Sequence, residues 1–156
     1  MTKTAPIEGY ASLFGVRDLA GDMIAKGAFA RTLRARRPSA IKLLYQHAAE
    51  EPIGLLTHAE EDLRGLFIAG EINLETQRGA ETRALLHQGA LTGLSIGFNI
   101  VSSERQGRSL RRITEIDLWE VSLVTFPMLP AASAWLAEGE ELLRTLMMSS
   151  RALARQ

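Results

Sequence analysis

No cysteine occurs anywhere in the 156 residues, which excludes disulfides, thiolate nucleophiles and cysteine-ligated zinc and fits a reducing compartment. Stability must therefore come from packing. Charge of either sign is not in excess: 18 Lys and Arg balance 18 Asp and Glu, so net charge gives no reason to expect nucleic acid or an anionic membrane as a partner. Basic clusters at residues 31–37 and 105–112 are offset by acidic stretches and read as solvated surface. No apolar run approaches the ~20 residues needed to cross a bilayer. The N-terminus lacks the basic-then-apolar order of a secretory signal, so a soluble, intracellular protein is expected. Repeats and low-complexity linkers are missing too, and the length suits one domain with a real core.

What is present centres on Gly93-Leu94-Ser95-Ile96-Gly97-Phe98, where a hydroxyl is framed by glycines inside an apolar, strand-like run. Alternation in a strand would point Leu94, Ile96 and Phe98 into a core and leave Gly93, Ser95 and Gly97 on a face stripped of neighbouring side chains. A bare face suits a nucleophile beside which a peptide backbone must lie. Glycines in a strand also mark a bulge or a tight crossing, and this reading stands beside the first.

The remaining chain reads as many strands at short intervals with two or three helices. Residues 7–16 form a first strand, and a short segment opens at Gly21-Asp22. Phe29 and Leu33, four apart among arginines, predict a short amphipathic helix over residues 28–36 that ends before Pro38. Residues 40–47 alternate as a strand, with Leu43, Tyr45 and His47 on one face and His47 at its end. Residues 52–57 and 66–72 form an antiparallel hairpin about the polar turn 60–64. A helix over 75–88 stops at Gly89. After the Ser95 strand come a polar turn at 102–107, a strand over 109–118, and a further strand 119–125 ended by Phe126-Pro127. The fold class is α+β, a mostly antiparallel and closed sheet with surrounding helices.

Serine needs a base to become a nucleophile, and three histidines are available. His47 closes an apolar strand, His58 follows another, and His87 lies on a polar helix. Spacing alone leaves each as fit for a structural role as for a catalytic one.

The ordered set Leu43-Leu44-Tyr45-Gln46-His47, Pro52-Ile53-Gly54, Gly65-Leu66, the Ser95 run, and Glu120-Val121-Ser122-Leu123-Val124-Thr125-Phe126-Pro127 resembles the prohead maturation proteases of tailed phages. Gly9-Tyr10-Ala11-Ser12 and Gly27-Ala28-Phe29 resemble that family's opening motifs. The resemblance covers residues 7–134. It implies a serine endopeptidase that cuts scaffold and capsid precursors inside the procapsid, in the cytoplasm of a bacterial host. It also implies a β-barrel similar to the herpesvirus assemblins, and no cofactor. By the same resemblance Ser95 is the nucleophile and His47 the general base. Glu120 takes the third position, at the place where the herpesvirus relatives carry a second histidine, and a carboxylate can orient an imidazole and stabilise its cation. Asp117 competes, although on one strand its side chain would leave from the face opposite Glu120. A retained histidine pair would instead use His58 or His87. The resemblance places the oxyanion donors near Met128-Leu129, while no paired arginines follow Glu120 as they do in the herpesvirus enzymes.

Two non-enzymatic readings also fit the pattern: an assembly protein that keeps the barrel, and a peptide- or scaffold-binding module. The expected division is a barrel domain over 1–134 and a C-terminal helix over 135–156. That helix would carry Trp135, Leu136, Leu142, Leu143, Leu146 and Met147 on one stripe, which either covers the barrel or pairs two protomers as a homodimer.

Overall fold

The computed structural model describes residues 2–138. In chain order the elements are β1 (Thr4–Leu13), β2 (Asp22–Ile24), α1 (Ala30–Ala35), a single 3-10 turn at Pro38–Ala40, β3 (Lys42–Tyr45), β4 (Ala48–Glu61), β5 (Gly65–Asn73), α2 (Gln77–Gln88), β6 (Gly93–Gln106), β7 (Leu110–Val124) and β8 (Ser133–Leu136). The sheet runs β2-β7-β3-β4-β5-β1-β8-β6, and a further pairing of β6 with β7 closes it into a barrel with β2 appended. Only β3 and β2 pair in parallel, both with β7, so the expected mostly antiparallel closed sheet is what forms.

Closure follows from strands whose alternate residues are apolar. Along β1, Ala5, Ile7 and Ala11 are buried while Pro6, Glu8 and Tyr10 are half-exposed, and on β5 Leu66, Ile68 and Ile72 are buried while Phe67 and Ala69 are half-exposed. These meet Leu43, Ile53, Leu56, Leu94, Ile116 and Leu123 in one core. Each such Ile or Leu side chain contributes on the order of 1.5–3 kcal/mol through burial. The helices lie where the sequence places them: α2 begins at Thr76, whose hydroxyl accepts from the Gly79 amide, and ends at Gly89 in the left-handed conformation.

Strand β7 depends most on help from outside the sheet. One edge pairs with β6 along its length, but the other is shared by β2 at Arg111–Ile113 and β3 at Glu120–Leu123. The backbone between them needs partners, because buried unpaired amides and carbonyls are costly. The segment around α1 supplies them. Ala28 O accepts from Ile116 N at 3.0 Å, Thr32 Oγ1 donates to Ile116 O at 3.1 Å and accepts from Leu118 N at 3.0 Å, and Arg36 donates to Leu118 O.

Three expectations are revised. The polar stretch 102–107 is not all turn, since β6 continues to Gln106, and 109–118 and 119–125 belong to one long strand. Sustained hairpin pairing overrides the polar composition there, with a reversal around Gly107 (φ 71°). Trp135 and Leu136, expected on a helix, lie in β8 opposite Glu8 and Ile7 of β1, where they extend the barrel rather than leave it. The other positions of that expected stripe, Leu142, Leu143, Leu146 and Met147, lie outside the described residues.

Thr32→Val tests the support of β7. Valine keeps the shape but removes both hydroxyl bonds, leaving buried backbone groups unpaired at about 1–3 kcal/mol. Thermal melting should fall by several degrees; an unchanged melting temperature would show that the α1 contact does not hold β7 in place.

Candidate active site

The antiparallel ladder of β6 and β7 sets Ser95 opposite Ser122 and Gly97 opposite Glu120. Between Gly97 and Phe98 the register slips, so that Phe98 faces Leu118 and Trp119 is the extra residue of a bulge. Before the bulge Ile116 and Leu118 are buried; after it Val121 and Leu123 are. The alternation thus changes parity, which corrects the expectation that Asp117 and Glu120 leave from opposite faces. They are separated along the strand instead. Asp117 bonds to Arg36 at 2.9 Å, whereas Glu120 Oε1 lies 2.5 Å from His47 Nδ1.

His47 is not the end of a strand. Tyr45 pairs with Ala48, so Gln46-His47 is a two-residue hairpin loop, and both residues have positive φ, 52° and 58°. Positive φ at both central positions is the signature of a type I′ turn, usually built from Asn and Gly. Without glycine the conformation costs energy and must be held from outside. The end of β7 holds it: Gln46 N donates to Leu123 O at 2.9 Å, the Gln46 side chain donates to Thr125 Oγ1 at 2.7 Å and accepts from Thr125 N at 3.1 Å, and His47 N donates to Ser122 Oγ at 3.0 Å. Ser122 Oγ in turn donates to Glu120 Oε2 at 2.7 Å. The imidazole remains 43% exposed, the Glu120 side chain only 13%.

Ser95 and His47 line the same cavity, about 240 Å³ in volume, whose other walls include Leu13, Ile24, Leu94, Phe98, Met128 and Leu129. Ser95 is 8% exposed, and among the described residues its hydroxyl makes no hydrogen bond. Ile96 and Phe98, expected in the core, are only partly buried and line the cavity. Met128 and Leu129 stand where the oxyanion donors were expected, in a loop tied down by Leu19 N donating to Met128 O at 3.0 Å. The carboxylates at the cavity wall are already engaged: Asp22 pairs with Arg111 at 2.7 and 2.8 Å, and Asp18 accepts from the Ala20 and Asp22 amides. His58 faces Glu60 on β4 and His87 lies in the last turn of α2; neither lines the cavity.

The glycines around Ser95 have a different use from the one expected. A Cβ at Gly97 would lie 2.3 Å from Glu120 Oε1, and one at Gly93 2.7 Å from Pro127 Cδ and from Val124 O. At Gly97 the bare surface is filled by the Glu120 carboxylate itself rather than kept open for a substrate backbone. Sequence reasoning missed Ser122, Gln46 and Thr125. For Ser122 the signal was its spacing, two residues from Glu120 on one strand and hence on one face.

The sequence profile of the caudovirus prohead serine protease family matches residues 1–144. The prohead protease of Enterobacteria phage HK97 is 32% identical over 130 residues, which cover 80% of this chain and 56% of that protein. The chain therefore spans little more than half the length of this relative. Among solved structures, KSHV protease in complex with a hexapeptide phosphonate inhibitor aligns with a TM-score of 0.60 at 13% identity, over 85% of this chain and 64% of that one. The bacteriophage T4 capsid assembly protease aligns with a TM-score of 0.59 at 12% identity, over 76% of this chain and 82% of that one. At such identities these two likenesses bear on the fold alone.

Gly97→Ala probes the seat of the carboxylate. The methyl meets a side chain that can swing rather than backbone, so the barrel should fold while Glu120 is pushed off His47. A crystal structure should show their 2.5 Å contact lengthened beyond ~3.5 Å; a contact kept at its present length would refute this account of the glycine.

Proposed function

Since this chain belongs to the caudovirus prohead serine protease family, we propose that it is a serine endopeptidase that cleaves scaffold and capsid precursor proteins within the procapsid, in the cytoplasm of a bacterial host. The observation that carries the reading is the convergence of Ser95, His47 and Glu120: the first two share one cavity, and the third holds the ring of the second. In this reading Ser95 Oγ attacks the scissile carbonyl and His47 takes its proton. Glu120 occupies Nδ1, so the proton passes to Nε2, the ring's other nitrogen. A carboxylate on Nδ1 sets the tautomer and stabilises the imidazolium formed in the transition state. Among the described residues no hydrogen bond joins Ser95 to His47, and in proteins free of substrate such bonds are often long or absent. Met128 and Leu129 line the cavity wall, and their backbone amides are proposed as oxyanion donors.

Proton return from Nε2 to the leaving amine completes acylation, and water then attacks the ester by the same path. The apolar lining excludes competing water and strengthens each of these electrostatic interactions.

Ser95→Ala should end processing of a co-expressed precursor and covalent labelling by a fluorophosphonate, with folding unchanged; continued cleavage by the purified variant would rule out the serine mechanism. His47→Ala should be nearly as inactive, and the double variant no worse, because nucleophile and base act as one unit. Glu120→Gln should lower kcat about 10²- to 10⁴-fold, since an amide cannot stabilise the imidazolium. Asp117→Asn should stay close to wild type, and the reverse ranking would transfer the third role to Asp117.

A further inference from the structure

Ser122 is fully buried, although on β7 it alternates with the core residues Val121 and Leu123 and shares the face of Glu120; its hydroxyl makes two hydrogen bonds there. Its two bonds differ in direction. The His47 amide can only donate, so at that contact Ser122 Oγ accepts; its own proton is then free to be donated to Glu120 Oε2. One hydroxyl in one orientation therefore joins the backbone of the strained His47 turn to the carboxylate that holds the His47 ring. With Oε2 fixed by Ser122, Oε1 is turned to His47 Nδ1. Backbone, ring and carboxylate form a closed loop through Ser122.

We propose that Ser122 is the positioning residue of this site: it sets the Glu120 carboxylate and the His47 backbone against each other, and so aligns the imidazole toward the cavity of Ser95. The inference rests on the serine-protease reading given above. Ser122 stands directly opposite Ser95 in the ladder, with Cβ atoms of such pairs about 4.5–5.5 Å apart, so two serines lie side by side on one face. Burial and hydrogen bonding tell them apart. Ser122 has its proton committed to Glu120 and no exposed surface, whereas Ser95 has a free hydroxyl and reaches the cavity. The geometry assigns attack to Ser95 and alignment to Ser122.

The test is the reaction of wild type, Ser122→Ala and Ser122→Cys with a fluorophosphonate, with the label located by peptide mass mapping, and peptide turnover measured beside it. Loss of alignment slows every molecule, so Ser122→Ala should label to full stoichiometry on Ser95 but about 10- to 10²-fold more slowly. Its kcat should fall in parallel while KM stays within about two-fold. Cysteine, close in size but a weak donor, should fall between the two. A merely structural role would instead give a reduced fraction of active molecules reacting at the wild-type rate, and that result would overturn the proposal. Label on Ser122 in the wild type would overturn it as well. Failure of the wild type to label on either serine would count against the protease reading itself, and so is distinguishable. Should both variants fail to fold, amide exchange of the wild type decides: the His47 amide, in a turn but bonded to a buried oxygen, should be strongly protected, and rapid exchange would refute the closed loop.

Discussion

The bulge at Trp119 is the constraint on which the site depends. A regular β7 would continue the alternation set by Ile116 and Leu118 and turn Glu120 toward the core, where an unpaired carboxylate would cost several kcal/mol. The extra residue reverses the parity, places Val121 and Leu123 inside, and brings Glu120 out beside Ser122 and over Gly97. On the other edge of β7, in the stretch just before the bulge that neither β2 nor β3 covers, the segment around α1 supplies the backbone's partners through Ala28, Thr32 and Arg36. A small helix outside the barrel is thus coupled to a carboxylate in the site through one strand.

Strain at Gln46-His47 follows the same logic on the neighbouring strand. A two-residue turn between β3 and β4 projects the imidazole sideways across β7, which a histidine within the strand could not do. Two non-glycine residues at positive φ cost on the order of 1–3 kcal/mol each, and four hydrogen bonds from the end of β7 offset this. Those bonds are possible because β3 runs parallel to β7, which carries the turn to the side of Leu123 and Thr125. The parallel pairing, uncommon in a barrel otherwise antiparallel, is therefore what makes the histidine's position attainable.

Much of this was legible in the sequence. Alternation marked β1 and the β4 and β5 hairpin, and Gly89 marked the end of α2, because in each case the local preference and the tertiary arrangement agree. That Ser95, His47 and Glu120 come together was legible through the order of their motifs, which outweighs any single glycine pattern. What could not be read is also specific. The turn at Gln46-His47 has no glycine, asparagine or proline to announce it, so the apolar alternation of β3 appeared to run on through His47. The bulge at Trp119 has no local signal either, being set by pairing across β6. Trp135 and Leu136 fit helical spacing and strand alternation equally, and pairing with β1 decides between them.

The glycines of the Ser95 run show why a motif needs its structural reason. Bare strand surface was expected to admit a substrate backbone, yet at Gly97 it admits Glu120, and at Gly93 it admits Pro127 and the Val124 carbonyl. Both are demands of the β7 side of the ladder, so the two glycines and Glu120-Val121-Ser122 form one packing unit split between two strands. A side chain at either glycine would meet the partner strand before it met any substrate. The spacing Gly-x-Ser-x-Gly then follows from the ladder: positions two apart on β6 face positions two apart on β7, and Ser122 lies opposite Ser95 for the same reason that Glu120 lies opposite Gly97. Ser95 and Glu120 are held in register by the hydrogen bonds of a single hairpin, and only the imidazole of His47 has to be brought from elsewhere.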